Sequence, residues 1–201
     1  MKGWKPIKGE TPLDDISGFL LLKQFPNVTR ELVNRLEAEN IRKAVVKYLA
    51  ASPSERTAPF TYAWLLQLHR EMFGDVWSWA GALRTTQTNI GAAPRQITEA
   101  LQSMLINLRH WHKQGDPLIE QAAMLHHTAV KIHPFPNGNG RWSRMLANIW
   151  LKQNGHPLTI WPADLETLTE TRDEYLAAVK KGDELDYGPL IALHKKYSAT
   201  S

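Results

Sequence analysis

H-P-F-P-N-G-N-G-R-W-S-R, residues His133 to Arg144, carries more chemistry than any other stretch of this chain. A histidine closes one apolar helical pattern, two glycines separated by an asparagine follow, and two arginines open the next pattern. Glycines at 138 and 140 let a backbone turn sharply and approach a ligand without Cβ interference. A helix start beyond them offers N–H groups that lack intrahelical acceptors, a ready place for an anion. Arg141 and Arg144, at i and i+3, point to one side and can fork onto phosphate oxygens. His133 has an unperturbed pKa near neutrality and is a candidate general base. The spacing is neither that of a P-loop, which needs G-x4-G-K-[ST], nor that of a Rossmann loop, which follows a strand. The same residues also suit a plainer reading: glycines for a turn, and arginines on a solvated helix face.

Outward from this loop, helical periodicity dominates. Residues 118–132 precede it, and a helix from about Arg141 to Gln153 follows, closed by Asn154-Gly155-His156-Pro157. Ile97, Leu101, Leu105, Leu108 and Trp111 recur about a turn apart and predict a helix over 97–114. Trp64, Leu65, Leu68 and Met72 predict another from near Thr61. Thr29 in a cap position, with Glu31 in the first turn, opens a helix to about Ala51 that carries Leu32, Leu36, Ala44 and Leu49. One or two further helices are expected over roughly 162–181 and 187–197. Leu83 to Ile90 leans towards β and lies between Gly81 and Gly91, which predicts a short β-hairpin flap near 83–91. The expected fold is an all-α bundle with that one flap. Residues 1–56 form an irregular lead and a first helix, 57–155 a core, and 156–201 C-terminal packing helices.

Composition narrows the function. The chain has 201 residues, 43% of them apolar, enough for a sizeable core. It has no cysteine, which excludes a disulfide scaffold, thiolate zinc, iron–sulfur ligation and thiol catalysis. Eight tryptophans are an excess whose expected role is core and hinge packing, with Trp77 and Trp79 before the flap and Trp4 in the lead. The net charge of +4 is modest: it tolerates an anionic partner without arguing for nucleic acid, and arginines concentrated around one glycine loop favour a nucleotide over a polymer. No acid occurs between Glu120 and Asp164 or between Asp75 and Glu99, whereas Arg84, Arg95, Lys131, Arg141, Arg144 and Lys152 fall in those gaps. A basic cleft for a phosphate-bearing ligand is expected. No apolar run spans a membrane, and the N-terminus lacks a secretory core, so a cytoplasmic location is the expectation. His126, His127 and His133 invite a metal reading that the missing carboxylates disfavour. His69, His110 and His112 read as surface or boundary residues, and Glu71 has no evident role.

The string at 133–144 resembles the signature of the Fic (filamentation induced by cAMP) domain family, H-P-F-x-[D/E]-G-N-G-R-x-x-R, with eight of nine specified positions present. Leu68 to Arg84, LHREMFGDVWSWAGALR, is similar to that family's helix and WAG turn, so the likeness covers about residues 60–152. TPLDD together with TRELVNRLEAENI more loosely resembles a bacterial group within it, mobile mystery protein B, which is thought to travel with a small helix-turn-helix partner.

The resemblance implies an adenylyltransferase that moves AMP from ATP, with Mg2+, to a Ser, Thr or Tyr hydroxyl of a target protein. His133 would be the base, Gly138, Asn139 and Gly140 would cradle phosphates, and Arg141 and Arg144 would hold the β- and γ-phosphates. Phe135 would anchor the loop, and the flap would pair edge-on with a target segment. Asn137 stands where the family's magnesium ligand is usually Asp or Glu, and a neutral amide attracts the cation far less. The alternative implied is a weak or inactive Fic-fold binding module in a toxin–antitoxin-like pair, with a small antitoxin as partner; a homo-oligomer is compatible with either. Many relatives are restrained by a helix bearing [S/T]-x-x-x-E-[G/N]. Glu39-Asn40 fits its end, with Arg35 in place of Ser or Thr, which casts Glu39 as a regulator approaching Arg144. A solvated face bearing Glu31, Glu37 and Glu39 fits the same residues.

Overall fold

The computed structural model describes residues 18–166 and 169–199. Trp4 and the TPLDD stretch lie outside the described residues. Among these, seven α-helices and two short 3-10 turns make up the regular structure.

α1 runs Arg30–Leu49, and its cap forms as the sequence predicts: Thr29 is extended and its hydroxyl accepts the Leu32 N–H at 3.2 Å. α2, Tyr62–Phe73, repeats the device with Thr61 accepting from Trp64 at 3.3 Å. α3, Ile97–Gln114, stops at left-handed Gly115, and α4 runs Leu118–Ile132. α5, Asn139–Gln153, begins two residues before the expected start because left-handed Gly138 serves as its N-cap. α6, Glu170–Gly182, and α7, Gly188–Lys196, close the chain.

α4 and α5, joined by the 133–138 turn, form the central packed pair. α1 and α2 cover one side, α3 packs on α4, and α6 and α7 lie on the remaining face of α4. The main core joins α1 to α5, with Leu65, Leu68, Met72, Leu101, Leu125, Phe135 and Leu146 wholly buried. A second apolar cluster, around Ala123, Tyr175, Leu190 and Leu193, fastens α6 and α7 to α4. Each buried apolar side chain of this size contributes roughly 1.5–3 kcal/mol. The seven described tryptophans are all buried or half-buried, so the aromatic excess is packing material. Phe19 anchors the lead, edge-on to Trp77 with ring centres 5.5 Å apart.

The expected β-hairpin is not formed. No β-strand occurs among the described residues, and 82–93 is an irregular loop. Its backbone bonds go elsewhere: the Arg84 N–H donates to the Pro134 carbonyl at 2.9 Å, and the Ala92 N–H to Ile132 at 3.1 Å. β-propensity needs a cross-strand neighbour, and here the turn after α4 takes the groups a ladder would use.

Candidate active site

The site is built where α4 ends. His133 caps that helix in a left-handed conformation, φ 51° and ψ 59°, and its side chain is buried. Such a backbone is uncommon for a residue with a Cβ and marks a turn held by its surroundings. Burial pushes the His133 imidazole down to about 4, helped by the nearby Arg84 charge and opposed by a hydrogen bond to the Val130 backbone. It is therefore neutral at neutral pH, able to accept a proton.

Gly138 is required twice over. Its φ is +78°, and a Cβ there would lie 2.6 Å from the Phe73 ring. Gly140 differs: a Cβ would meet only Arg144 Nη1, at 3.7 Å, so its missing side chain leaves open room on the loop. The Asn139 amide braces the loop from within, its Oδ1 accepting the Phe135 N–H at 2.9 Å and its Nδ2 donating to the Phe135 carbonyl at 2.8 Å. The Asn137 Oδ1 accepts the Gly138 N–H at 2.6 Å. Phe135 is buried, stacked on the His69 ring at 3.7 Å and edge-on to Trp142 at 5.0 Å. Beyond the loop, the first turn of α5 presents N–H groups with a partial positive charge.

The arginines have different surroundings. Arg141 lies over the Phe73 ring at 4.9 Å and donates from Nη1 to Glu37 Oε2 at 2.6 Å. Arg144 lies over the Tyr175 ring at 5.6 Å. Arg84, expected to line an open basic cleft, is instead buried and turned onto backbone carbonyls. Its Nε donates to His133 at 2.6 Å, its Nη1 to Thr86 at 2.9 Å, and its Nη2 to Ala92. Lys131 sits 3.5 Å from Asp183, further dividing the expected cleft.

Glu39 is exposed on α1, whereas Glu37 is buried and meets the signature arginine. The other Glu37 oxygen accepts the Trp77 indole N–H at 2.6 Å. A signal for this existed: Val33, Glu37, Asn40, Ala44 and Tyr48 form the buried stripe of α1, one helical face with an acid in it. His69, expected at the surface, is wholly buried. His126, equally buried, bonds His194 Nε2 at 3.1 Å and the Tyr175 hydroxyl at 2.9 Å, and His127 pairs with Asp183. Glu71 has a role after all: it binds Lys47, Tyr48 and Gln67 and ties α1 to α2.

A groove of about 870 Å³ opens beside the turn, walled by Ile90, Gly91, Val130, Ile132, Leu176 and Val179. Its mainly apolar lining, which also includes His127, Lys131, Lys180 and Asp183, suits a flat organic ring, and Ile132 places it next to His133. A neutral imidazole at the head of the turn, a helix start beyond it and two arginines on that helix are a set able to meet a phosphate and accept a proton.

Residues 59–151 match the Fic/DOC family. Protein adenylyltransferase fic-1 of Caenorhabditis briggsae is 34% identical over 142 residues, 68% of this chain and 27% of that protein. Protein adenylyltransferase Fic of Drosophila grimshawi is 32% identical over 151 residues, 73% of this chain and 30% of that protein. The chain thus spans less than a third of the length of these relatives. Among solved structures, Fic-1 (residues 134–508) from C. elegans superposes with a TM-score of 0.71 at 24% identity, over 88% of this chain and 53% of that one. BepC from Bartonella tribocorum, solved with bound AMPPNP, gives 0.64 at 20% identity, over 86% and 89%.

Proposed function

We propose, from the premise that this chain carries a Fic/Doc-fold domain, that it transfers AMP from ATP to a hydroxyl of a target protein. The observation that carries this reading is the order His133, loop, helix start, Arg141 and Arg144 within the matched residues, with a neutral imidazole at its head. The kinship with adenylyltransferases supports the choice of AMP as the transferred group.

The adenine would lie in the apolar groove and the phosphates over Gly140 and the first turn of α5. The target hydroxyl, a Ser, Thr or Tyr approaching along the mostly exposed stretch from Thr85 to Ile90, attacks the α-phosphorus. Its proton passes to the His133 imidazole as the new O–P bond forms. The bond to the bridging oxygen breaks, pyrophosphate departs, and Arg144 together with a released Arg141 balances its charge. Positioning and electrostatics supply most of the rate, as in phosphoryl transfer generally.

Magnesium fits less well than the nucleotide. Asn137 offers a neutral amide oxygen, already turned to Gly138, where a carboxylate would bind the cation more strongly. When bound, the ion would neutralise phosphate charge, with Asn137 as the loop's contribution.

Restraint of the site is assigned to α1 in this reading. The sequence casts Glu39 in that role; the position of Glu37 against Arg141 favours Glu37 as the acid that competes with a phosphate. The engaged Arg141 and the neutral Asn137 also favour a second reading, a weakly active module restrained within a protein pair, with an antitoxin-like partner. Kinship with mobile mystery protein B rests on sequence likeness alone.

Radiolabelled ATP incubated with the chain and with candidate targets decides between them. Labelling by the native chain or by Asn137→Asp, lost in His133→Ala, supports transfer; no labelling by either overturns it.

A further inference from the structure

The 137–140 loop is held from below by α2, by residues outside the 133–144 string. His69 and Phe73 stand one turn apart on α2 and face the loop. The Gly81 N–H donates to His69 Nδ1 at 3.0 Å, so Nδ1 is the acceptor and the proton of the neutral ring sits on Nε2. Nε2 then donates to the Asn137 carbonyl, also at 3.0 Å. The ring stacks on Phe135 at 18° between planes, which fixes the direction of both bonds. Phe73 completes the platform, its ring filling the space where a Gly138 side chain would stand and lying under the Arg141 guanidinium.

We infer that His69 is a positioning residue, its imidazole bridging the Gly81 amide and the Asn137 carbonyl to fix the backbone of the anion-receiving loop. The Asn137 carbonyl and the Gly138 N–H belong to one peptide unit of the loop, so releasing the carbonyl frees the plane that carries that N–H. A purely space-filling role would require only an aromatic ring at this position. The two hydrogen bonds, to elements 12 and 68 residues away, go beyond it. The loop-ordering part of the inference stands apart from the nucleotide reading; its consequence for affinity rests on that reading.

Three variants of the full chain separate the roles. His69→Gln places an amide N–H near the Nε2 position and keeps the bond to Asn137. His69→Asn keeps an acceptor near Nδ1 and loses that bond. His69→Phe keeps the stacked ring and loses both. Backbone 15N relaxation of Gly138, Asn139 and Gly140 is measured without nucleotide, followed by titration with ATP. The Phe and Asn variants should show a mobile loop and at least about tenfold weaker ATP binding, with Gln within about threefold of native. A Phe variant with native loop relaxation, or Gln and Phe variants equally perturbed, overturns the inference. If the native chain binds no ATP, the nucleotide reading fails while the relaxation data still decide the role of His69.

Discussion

Glu37 holds Arg141 and Trp77 at once, one carboxylate oxygen 2.6 Å from the Arg141 guanidinium and the other 2.6 Å from the Trp77 indole nitrogen. The acid is almost wholly buried and the arginine partly exposed, so the pair sits where solvent gives way to the core. A charge-assisted bond of this kind contributes about 1.5–3 kcal/mol.

Glu37→Gln should therefore strengthen ATP binding. The amide still offers an oxygen to Trp77 but no longer holds Arg141 by charge, and affinity should rise about tenfold. Calorimetric titration of both chains measures it. Glu39→Gln, on the exposed face, should change affinity by less than about twofold. The reverse ranking would return the restraint to Glu39.

His133→Ala should lower AMP transfer by about 10²–10⁴-fold while leaving the Kd for ATP within about twofold. Because burial and Arg84 bring the imidazole down to about 4, the base stays deprotonated through the mildly acidic range. The acid limb of the rate profile should fall near pH 4, and a limb centred on 6.5 would contradict the burial of this side chain.

Stability should decline on acidification well before the carboxylates titrate. Burial holds His194 at about 3 and His126 well below its ordinary 6.5, so the folded chain refuses protons that the unfolded chain accepts. Stability is then full above about pH 6.5 and falls below it, by about 1.4 kcal/mol per pH unit for each such group. At pH 5 His194 alone removes roughly 2 kcal/mol, and His126 adds to the loss in the same direction. Thermal melts from pH 7.5 to 4.5 test this, and a Tm unchanged between pH 7 and 5 would refute it.

Arg84→Lys should loosen the 84–92 segment. A lysine cannot serve the carbonyls of His133, Thr86 and Ala92 together, and the expected loss is about 2–3 kcal/mol, or roughly 5–10 °C in Tm. Gly91→Ala attacks the same contact, since its Cβ would stand 2.6 Å from Arg84 Nη2 and 2.7 Å from His133 Cβ. Hydrogen exchange at Ala92, whose N–H is bound to Ile132, should quicken in both variants.

Much of the helical frame was legible because periodicity and caps are local. Thr29 and Thr61 announce two helix starts, and the spacing of Ile97, Leu101, Leu105 and Leu108 defines α3. The loop was legible because glycines and arginines at such close spacing have few joint uses. The 83–91 segment misled because Thr and Ile report only a fit to some pleated surface, and none is supplied. His69 was misjudged because its partners are a backbone amide 12 residues on and a carbonyl 68 residues on, and backbone groups leave no trace in side-chain composition. The motif points to Glu39 through its neighbour Asn40, whereas Glu37 lies on the buried face of α1 with Val33, Asn40, Ala44 and Tyr48, a face that only the packing against α2 and α5 defines.

Gly182, at the end of α6, has no room for a side chain: a Cβ would stand 2.4 Å from the His127 ring. A larger residue must displace that ring or part α6 from α4, and His127, Leu176 and Val179 line the apolar groove between these helices. Under the proposed function, a substitution at 182 would reshape the base pocket through His127 while His133 to Arg144 stay untouched. Donor choice and transfer chemistry would then be free to evolve on separate schedules, the first by resizing at position 182 and the second by substitutions in the loop.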